Sequence, residues 1–440
     1  MKNTLKDFLV IPESDPAHPE VKKNFKRNSF ANLMDNAIWY FGASFTAAYT
    51  IIPVFLTTLT DSPILIGLIP ALQSIGWFLP QLFLAKYLEG INQRLPLVRK
   101  LGIFERVPFL LLAVGAFLIP RLDQKTALIL ILIIYTIKAF SSGVVGLPWQ
   151  ELMATVIPVS HRGRFWGFTL IVGRLMGLVG AFISGLILAR VAYPNNYAIM
   201  FFIGFIAVSI SFLFLSLNIE PVIERHSTQI DPGIWIRIKK TLSKDKNFGI
   251  YLINRGFSFM SSMGMAFITV YGIQKFNLPI SQSATFTAVM FASEIFGYGI
   301  WGNLGDKDGY KRVIEICNFF SIIGLFSILF IGSIWGLYIA FGILSFARSG
   351  EYISDQNLAM EFGSENDRPT YIGMSKTLIG PFSLLAPIIG GSLIQLGGYT
   401  SMFLVALVLA IFAFVIIRFL VKDPRTSNGN KTLSPSMTKN

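Results

Sequence analysis

The stretch GNLGDKDGYKR, residues 302–312, decides the fold of this protein. It contains three glycines and five charged residues, in a chain that is 53% hydrophobic and only 14% charged. Apolar stretches of about 20 residues, long enough to cross a bilayer as a helix, lie on both sides of it. We therefore interpret residues 302–312 as a tight polar turn between two membrane-spanning helices.

Similar apolar stretches recur along almost all of the 440 residues, and they predict an all-α membrane protein with twelve spans. Residues 1–30 lack the apolar core and cleavage site of a signal peptide, so we expect span 1 to remain as the first anchor. The predicted spans, numbered 1 to 12 in chain order, are residues 32–58, 63–87, 101–120, 126–155, 163–192, 197–219, 248–275, 280–303, 312–333, 335–360, 369–396 and 399–421.

The basic residues predict the orientation of these spans, because Lys and Arg accumulate in cytoplasmic loops. If the N-terminus lies inside, the inner segments hold 27 of the 37 Lys and Arg residues and the outer loops hold four. Both termini are therefore predicted to be cytoplasmic, in a cell inner or plasma membrane. The formal net charge of +13 follows from this topology and does not require a nucleic-acid partner.

The two halves of the chain share residues at a constant spacing, which predicts an internal repeat. At an offset of 206 positions, Arg162 matches Arg368 and Gly167 matches Gly373. Apolar residues of the central linker, such as Ile238 and Leu242, share one helical face, which fits a helix on the inner leaflet or a plain solvated segment. The predicted segments are a cytoplasmic tail (1–30), a six-span bundle (31–220), a cytoplasmic linker (221–246), a second six-span bundle (247–421) and a cytoplasmic tail (422–440).

The turn between spans 8 and 9 also fits a known loop signature. The signature consists of a glycine, three residues, an aspartate, a basic residue, any residue, a glycine, any residue and two basic residues. Together with twelve spans in two similar halves, this loop gives the sequence a resemblance to the major facilitator superfamily of membrane transporters. The resemblance covers about residues 30–421. The residues that satisfy the signature are Gly302, Asp306, Lys307, Gly309, Lys311 and Arg312.

The resemblance implies that this loop and its first-half counterpart around Glu89 latch the cytoplasmic side when the protein faces outward. Asp306 would then meet the positive N-terminal end of span 5 near Arg162, and Glu89 would meet that of span 11 near Arg368. Each such helix-end contact is worth about 1 kcal/mol, which is enough to bias an alternating equilibrium. The first-half loop departs from the signature, so the sequence supports a latch at Glu89 less strongly than one at Asp306.

Charged side chains inside spans are costly and usually face a cavity or a partner. We expect them to border a central cavity, and we expect no charge in the interiors of spans 3, 6, 9 and 12, which the resemblance places on the outside. Aromatic and amide groups on the other spans could add contacts to a solute. The candidate charges are Lys138, Arg174, Arg255, Glu294, Arg348, Glu351, Asp355 and Lys376, and the other candidates are Trp39, Gln73, Gln150, Tyr271 and Gln356.

Two arrangements of these charges could bind protons. Arg348, Glu351 and Asp355 share one face of span 10, so they form either a proton-sensitive set or a static ion pair. Glu294 stands alone in span 8 and is either a proton carrier or a permanently neutral acid. Among the basic groups, Lys138 and Arg174, with Lys376 from the second half, are the candidates for holding an anion.

The sequence thus predicts a secondary active transporter, a monomer that moves a small solute by alternating access. We expect proton coupling and a weak preference for an anionic or polyhydroxylated substrate. An efflux antiporter for drugs or metabolites, a transporter-like sensor, a lipid scramblase and a polytopic membrane enzyme stay open as alternatives. No phosphate-binding loop, hydrolase motif or metal-ligand cluster is evident, so neither enzymatic activity nor a cofactor or metal is expected.

Overall fold

The computed structural model describes residues 11, 15–88, 90–223, 234–363 and 367–425. Within this part of the chain every long element is a helix. The helices are Pro19–Ser44 and Ile51–Leu56 (span 1), Pro63–Leu88 (span 2), Leu95–Leu118 (span 3), Gln124–Val156 (span 4), Val159–Arg190 (span 5), Asn195–Leu215 (span 6), Ile234–Lys244 (linker), Lys246–Ser261 and Met263–Lys275 (span 7), Gln282–Asp308 (span 8), Tyr310–Phe330 (span 9), Ile334–Phe362 (span 10) and Arg368–Val415 (spans 11 and 12).

Spans 1 and 7, which begin the two bundles, are both broken helices. Span 1 leaves helical geometry between Ser44 and Ile51, and span 7 is interrupted at Ser262. The segment Arg368–Val415 consists of two helices that meet at Gly398, whose φ of 74° lies in the left-handed region that glycine adopts without steric cost. This junction is the turn between spans 11 and 12.

Eight helices in the described residues are long and apolar enough to cross a membrane by themselves. The helices of spans 1, 8 and 10 do not meet that standard, and spans 11 and 12 count as one. Spans 8 and 10 carry the charged residues Glu294, Arg348, Glu351 and Asp355, which explains their lower apolarity. These spans are stable in a bilayer because neighbouring helices cover their polar faces.

The helices form two six-helix bundles, as the sequence predicts. In the first bundle, span 1 packs on spans 5 and 6, span 3 packs on spans 4 and 6, and span 2 packs on span 4. In the second bundle, span 8 packs on span 10, and span 9 packs on span 10 and on the helix of spans 11 and 12. The bundles meet where span 2 contacts that helix and where span 5 contacts span 8.

The apolar core shows that the two bundles are closed together at one end only. At the end opposite the basic loops, called here the far end, a single cluster joins Phe45 and Phe55 of span 1 to Phe267 of span 7 and Phe286 of span 8. At the basic end, which carries the loops with most Lys and Arg residues, each bundle has a separate cluster. The cavity between the bundles therefore opens toward the basic end.

The space around the glycines also shows that the helices pack more closely at the far end than at the basic end. A Cβ on Gly67 would lie 2.5 Å from the carbonyl oxygen of Pro387, and a Cβ on Gly391 would lie 2.7 Å from that of Pro63, so spans 2 and 11 touch backbone to backbone at the far end. A Cβ on Gly167 of span 5 or on Gly373 of span 11 would meet nothing within 4 Å. Near the basic end, spans 5 and 11 therefore have open space beside these two glycines.

The linker helix Ile234–Lys244 packs on the second bundle. Ile238 is buried, and Leu242 packs beside it on the apolar cluster that includes Phe248 and Tyr251 of span 7. The side chains of Ile234 and Trp235 lie outside the described residues. The amphipathic face predicted from the sequence thus has a protein partner along at least part of its length.

We expect Gly67→Ala to destabilise the protein by about 1–3 kcal/mol, because an added methyl group would overlap the Pro387 carbonyl across the bundle interface. The matched control, Gly167→Ala, adds the same methyl group to open space in a helix and should be neutral or stabilising by about 0.5–1 kcal/mol. Thermal unfolding of the purified variants measures the difference. Equal unfolding temperatures for the two variants would contradict the close approach of spans 2 and 11.

Candidate functional site

An ion pair links the two bundles near the middle of spans 5 and 8. Arg174 of span 5 contacts the carboxylate of Glu294 of span 8, and its Nη2 also donates to the Tyr298 hydroxyl at 3.1 Å. The Glu294 side chain is only 5% exposed and that of Arg174 only 11% exposed. Because each bundle supplies one charge, this contact depends on how the bundles are placed relative to each other.

Aromatic rings surround the Arg174 guanidinium. Its central carbon lies 4.0 Å from the ring centre of Tyr40, 5.5 Å from that of Phe291 and 5.6 Å from that of Tyr298. Stacking on aromatic faces stabilises a guanidinium that is removed from water. Its Nη1 atom is buried and has no hydrogen-bond partner among the described residues. Arg174 therefore has one buried donor group that neither Glu294 nor Tyr298 uses.

Arg348 of span 10 is the second guanidinium of this central cluster. Its Nη1 lies 3.8 Å from the other carboxylate oxygen of Glu294, and its side chain is 40% exposed. The sequence left Glu294 as an isolated acid, whereas the structure sets it between Arg174 and Arg348. The three groups carry one net positive charge, and Arg348 is the most exposed of them.

The break in span 1 closes the far end beside this cluster. The Arg348 guanidinium stacks over the Tyr49 ring at 4.4 Å, and the Thr269 hydroxyl of span 7 donates to the Tyr49 carbonyl at 3.2 Å. The next residue, Thr50, shares a hydrogen bond of 2.6 Å with Thr287 of span 8, and both hydroxyls are buried. These polar contacts join the bundles at the one point where span 1 is not helical.

A second cluster lies inside the second bundle. Arg255 of span 7 is fully buried and pairs with Glu351 at 3.2 Å and with Asp355 at 2.6 Å. Ser258 bridges it, accepting from Arg255 at 3.0 Å and donating to Glu351 at 2.9 Å. The spacing in span 10 suggested Arg348 as the partner of these carboxylates, but the structure gives that role to Arg255. Sequence periodicity finds residues on one helix face and cannot see a partner on another helix.

A small cavity of about 50 Å³ lies within the second bundle, between spans 7, 9 and 10, and it borders one residue of the central cluster and one of the second cluster. Arg348 and Glu351 face it, so groups of opposite charge border the same space. The rest of its wall is rich in hydroxyl groups and suits hydrogen bonding to a solute. The residues that line the cavity are Ser258, Ser261, Ser262, Met265, Ser321, Leu325, Leu344, Arg348 and Glu351.

A third cluster lies inside the first bundle and includes charges that the sequence analysis misplaced. Span 3 was expected to have none in its interior, yet Glu105 and Arg106 pair there and both are 5% exposed. Arg106 also donates to the Val208 carbonyl at 3.1 Å and stacks over Trp39 at 5.2 Å. The expectation failed because Arg106 was counted with the preceding basic loop, whereas the helix begins at Leu95 and buries it.

Lys138 lies nearer this third cluster than the central one. Its Nζ is 3.4 Å from the Gln73 amide oxygen and 5.0 Å from the centre of the Tyr135 ring, and its side chain is buried. Nearby, Asp35 of span 1 accepts a hydrogen bond of 2.6 Å from Ser211. The structure therefore does not bring Lys138 together with Arg174, with which the sequence grouped it as an anion-binding candidate.

The remaining candidates fall in different places. Lys376 is partly buried in span 11 and has no ion pair among the described residues. Tyr271 lies at the far end, where its hydroxyl accepts from Lys275 at 2.8 Å, which removes it from the central cluster. Gln150 is partly buried in span 4. The side chain of Gln356 lies outside the described residues.

Asp306 and Arg162, which the resemblance places near each other in the latch, are each hydrogen-bonded within their own bundle. Asp306 accepts a hydrogen bond of 2.7 Å from Tyr310, and Arg162 donates to the Ala154 carbonyl at 2.6 Å. Gly309, with a φ of 94°, ends span 8 in a conformation that favours glycine. Glu89 lies outside the described residues. Since the basic end is open, the latch between Asp306 and the region of Arg162 stays a prediction for the closed state.

Comparison with known proteins agrees with this architecture. Residues 252–439 match the family model described as Major Facilitator Superfamily. Among solved structures, the chain is similar to the nucleoside transporter NupG, with 16% identity, a TM-score of 0.66 and coverage of 89% of this chain and 97% of that one. Among curated proteins no sequence match is found.

Two further structures are similar over almost their whole length. A D-xylose–proton symporter has 15% identity and a TM-score of 0.67, covering 91% of this chain and 99% of its own. The human organic anion transporter MFSD10 has 13% identity and a TM-score of 0.65, and the match covers 91% of this chain and 100% of that one. At such identities these likenesses show the fold.

The fold and the buried charges define a multi-pass helical membrane protein with a cavity between two six-helix bundles. The family match over residues 252–439 and the similarity of the fold to solved transporters agree with the resemblance seen in the loop signature: the second half of the chain matches the Major Facilitator Superfamily, and the chain has the same fold as these transporters.

We expect a double-mutant cycle to show that Arg174 and Glu294 are coupled. Arg174→Met and Glu294→Leu should each destabilise the protein by about 3–5 kcal/mol, because each leaves a buried charge without its partner. The double variant should be less destabilised than the sum of the two, by about 1–3 kcal/mol. Thermal unfolding of all four proteins measures this coupling. Additive effects would mean that the bundles are not joined by this pair.

Proposed function

We propose that this protein is a secondary active transporter that moves a small solute by alternating access, coupled to protons. The observation that carries the proposal is the ion pair between Arg174 and Glu294, which lies across the bundle interface in a cavity closed at the far end. A charge pair of this kind changes its surroundings when the bundles rock, because each partner belongs to a different rigid unit. A membrane protein whose bundles stay fixed has no need to place such a costly ion pair between them.

The basic end of the protein would face the cytoplasm, following the distribution of Lys and Arg. The structure would then correspond to an inward-open state, with both termini cytoplasmic. In the opposite state the signature loop would close the basic end as Asp306 approaches span 5. The far end would open there as the contact between Thr50 and Thr287 separates.

The substrate that best fits the cavity is anionic or polyhydroxylated. Arg174 and Arg348 give the central cluster two guanidiniums against the one carboxylate of Glu294, and Arg348 also borders the small cavity that Glu351 faces. The serine-rich pocket beside Arg348 adds hydroxyl groups for hydrogen bonding. Similar structures include transporters described for a nucleoside, a sugar and organic anions, which is consistent with this chemistry.

Glu294 is the proposed proton-binding group. Its carboxylate competes with an anionic substrate for the same two guanidiniums, Arg174 and Arg348. A proton on Glu294 removes that competition, so proton and substrate binding would favour each other. Arg255, Glu351 and Asp355 instead form a compact network within one bundle, and we assign it a structural role.

A thermal-shift screen of the full-length protein against sugars, nucleosides, organic anions, amino acids and amphiphilic cations tests the substrate class. A ligand at 100 times its Kd should stabilise the folded state by about 2.7 kcal/mol. We expect sugars, nucleosides or organic anions to do so. We expect Arg348→Gln to raise the Kd of the stabilising ligand at least tenfold. Arg418→Gln, which alters an exposed guanidinium paired with Glu315 at 2.9 Å outside the cavity, is the control. Stabilisation by cations alone would overturn the assignment.

Proton coupling can be tested with Glu294→Gln in proteoliposomes loaded with the solute identified by the screen. We expect uptake driven by a pH gradient to fall to background, while exchange of labelled for unlabelled solute continues, because the neutral amide leaves the guanidiniums available. Asp355→Asn is the comparison, since it changes the network inside the second bundle. Gradient-driven uptake that survives Glu294→Gln would assign the proton to another group.

A further inference from the structure

The two surfaces that must meet to close the basic end are already in contact with the segments that flank the membrane spans. At the far end, spans 5 and 8 pack in antiparallel register, since a Cβ on Gly177 would lie 2.8 Å from Phe291 and one on Gly185 would lie 3.3 Å from Ala284. Continued toward the basic end, the same register puts Gly167 opposite residue 302. The start of span 5 would then meet the loop between spans 8 and 9.

The start of span 5 is held by the segment that precedes span 1. Asp15 contacts the hydroxyl of Ser160, the second residue of the helix Val159–Arg190, and its other oxygen accepts from the Ala17 backbone at 2.8 Å. The Ser160 hydroxyl is also 2.8 Å from Nδ1 of His161. The hydrogen bond from Ser160 lowers the pKa of Asp15 below its usual value, so the group is a carboxylate at neutral pH. An anion therefore lies at the helix end that Asp306 would approach.

The loop between spans 8 and 9 is held by the segment that follows span 12. Arg425 donates from Nη2 to the Gly305 carbonyl at 3.1 Å and from Nη1 to the Asp306 carbonyl at 3.3 Å. Its Nε donates to Glu361 at the end of span 10, at 2.8 Å. A cation on the last carbonyls of a helix is favourable because they carry partial negative charge. Arg425 thus ties span 8 to span 10 within the second bundle.

We propose that these two contacts act as terminal clamps, Asp15 on Ser160 and Arg425 on residues 305 and 306, which compete with closure of the basic end. Each clamp binds, within one bundle, a helix end that closure would bring against the other bundle. Closure must therefore displace Asp15 from the start of span 5 and shift Arg425 on the loop. The clamps rest on the proposed function only in requiring that the basic end closes.

The mechanism of competition is electrostatic and steric. Asp15 and Asp306 are like charges, so both carboxylates cannot approach the start of span 5 without repulsion. Arg425 ties the loop to span 10 by three hydrogen bonds from one side chain, two to the loop and one to Glu361, so movement of the loop toward span 5 has to break or shift them. Removing either clamp should shift the balance toward the closed basic end without altering the central cluster.

A disulfide cross-link between Gly167→Cys and Asn303→Cys in the full-length protein, reconstituted in lipid, reports this closure. Cys317 is buried and can stay in place. We expect Asp15→Asn and Arg425→Gln each to raise the rate of cross-linking by about three- to fivefold. The combined variant should multiply the two effects, since distant sites act additively in free energy.

Matched controls separate the clamps from general effects of charge removal. Asp123→Asn removes a carboxylate that makes a similar exposed contact, 3.0 Å from the Thr126 backbone nitrogen, and Arg418→Gln removes a basic residue near the same chain end. Both should leave the rate unchanged. Thermal unfolding of each variant checks that the fold is intact.

Asp306→Asn separates failure of the clamps from failure of the proposed function. If this variant slows cross-linking while Asp15→Asn and Arg425→Gln change nothing, the basic end closes through its latch and the clamps are refuted. If the cysteine pair never cross-links in any variant, the basic end does not close, and both alternating access and the clamps fall together.

Discussion

A buried charge must have a partner, and this constraint organises the interior of the protein. Two of its charged clusters are satisfied within a bundle, around Arg255 in the second and around Arg106 in the first. The central cluster differs, because Arg174 of the first bundle has its ion pair with Glu294 of the second bundle, which Arg348 of the second bundle also contacts. Because this cluster lies at the interface between the bundles, its charges could take part in bundle movement as well as in helix packing.

The shape of the cavity follows from where the backbones can approach. Gly67 and Gly391 allow spans 2 and 11 to touch at the far end, and the apolar core is continuous there. Near the basic end, span 11 carries Gly373, which has open space beside it. Small residues at both ends suit helices that pack closely at one end at a time, since a larger side chain at either end would block one of the two closures.

The central cluster, the closed far end and the signature loop form one connected arrangement. Arg348 contacts both Glu294 and Tyr49, so a solute that engages Arg348 acts on the charge pair and on the break in span 1 together. Residues of the signature loop stay bonded within their own bundle while the basic end is open. Occupancy of the site and closure of either end can therefore influence one another through direct contacts.

The sequence by itself determined the class of fold, because apolar length, the bias of Lys and Arg between loops and the signature at 302–312 are local patterns that a bilayer imposes on the chain. It also identified Arg174, Glu294 and Arg348 as charges inside spans. Only the tertiary structure decided their partners: it paired Glu351 and Asp355 with Arg255, gave Glu294 two guanidiniums and showed Glu105 and Arg106 buried in span 3. Partners across helices depend on register and rotation between elements far apart in the chain, which periodicity within one helix does not specify.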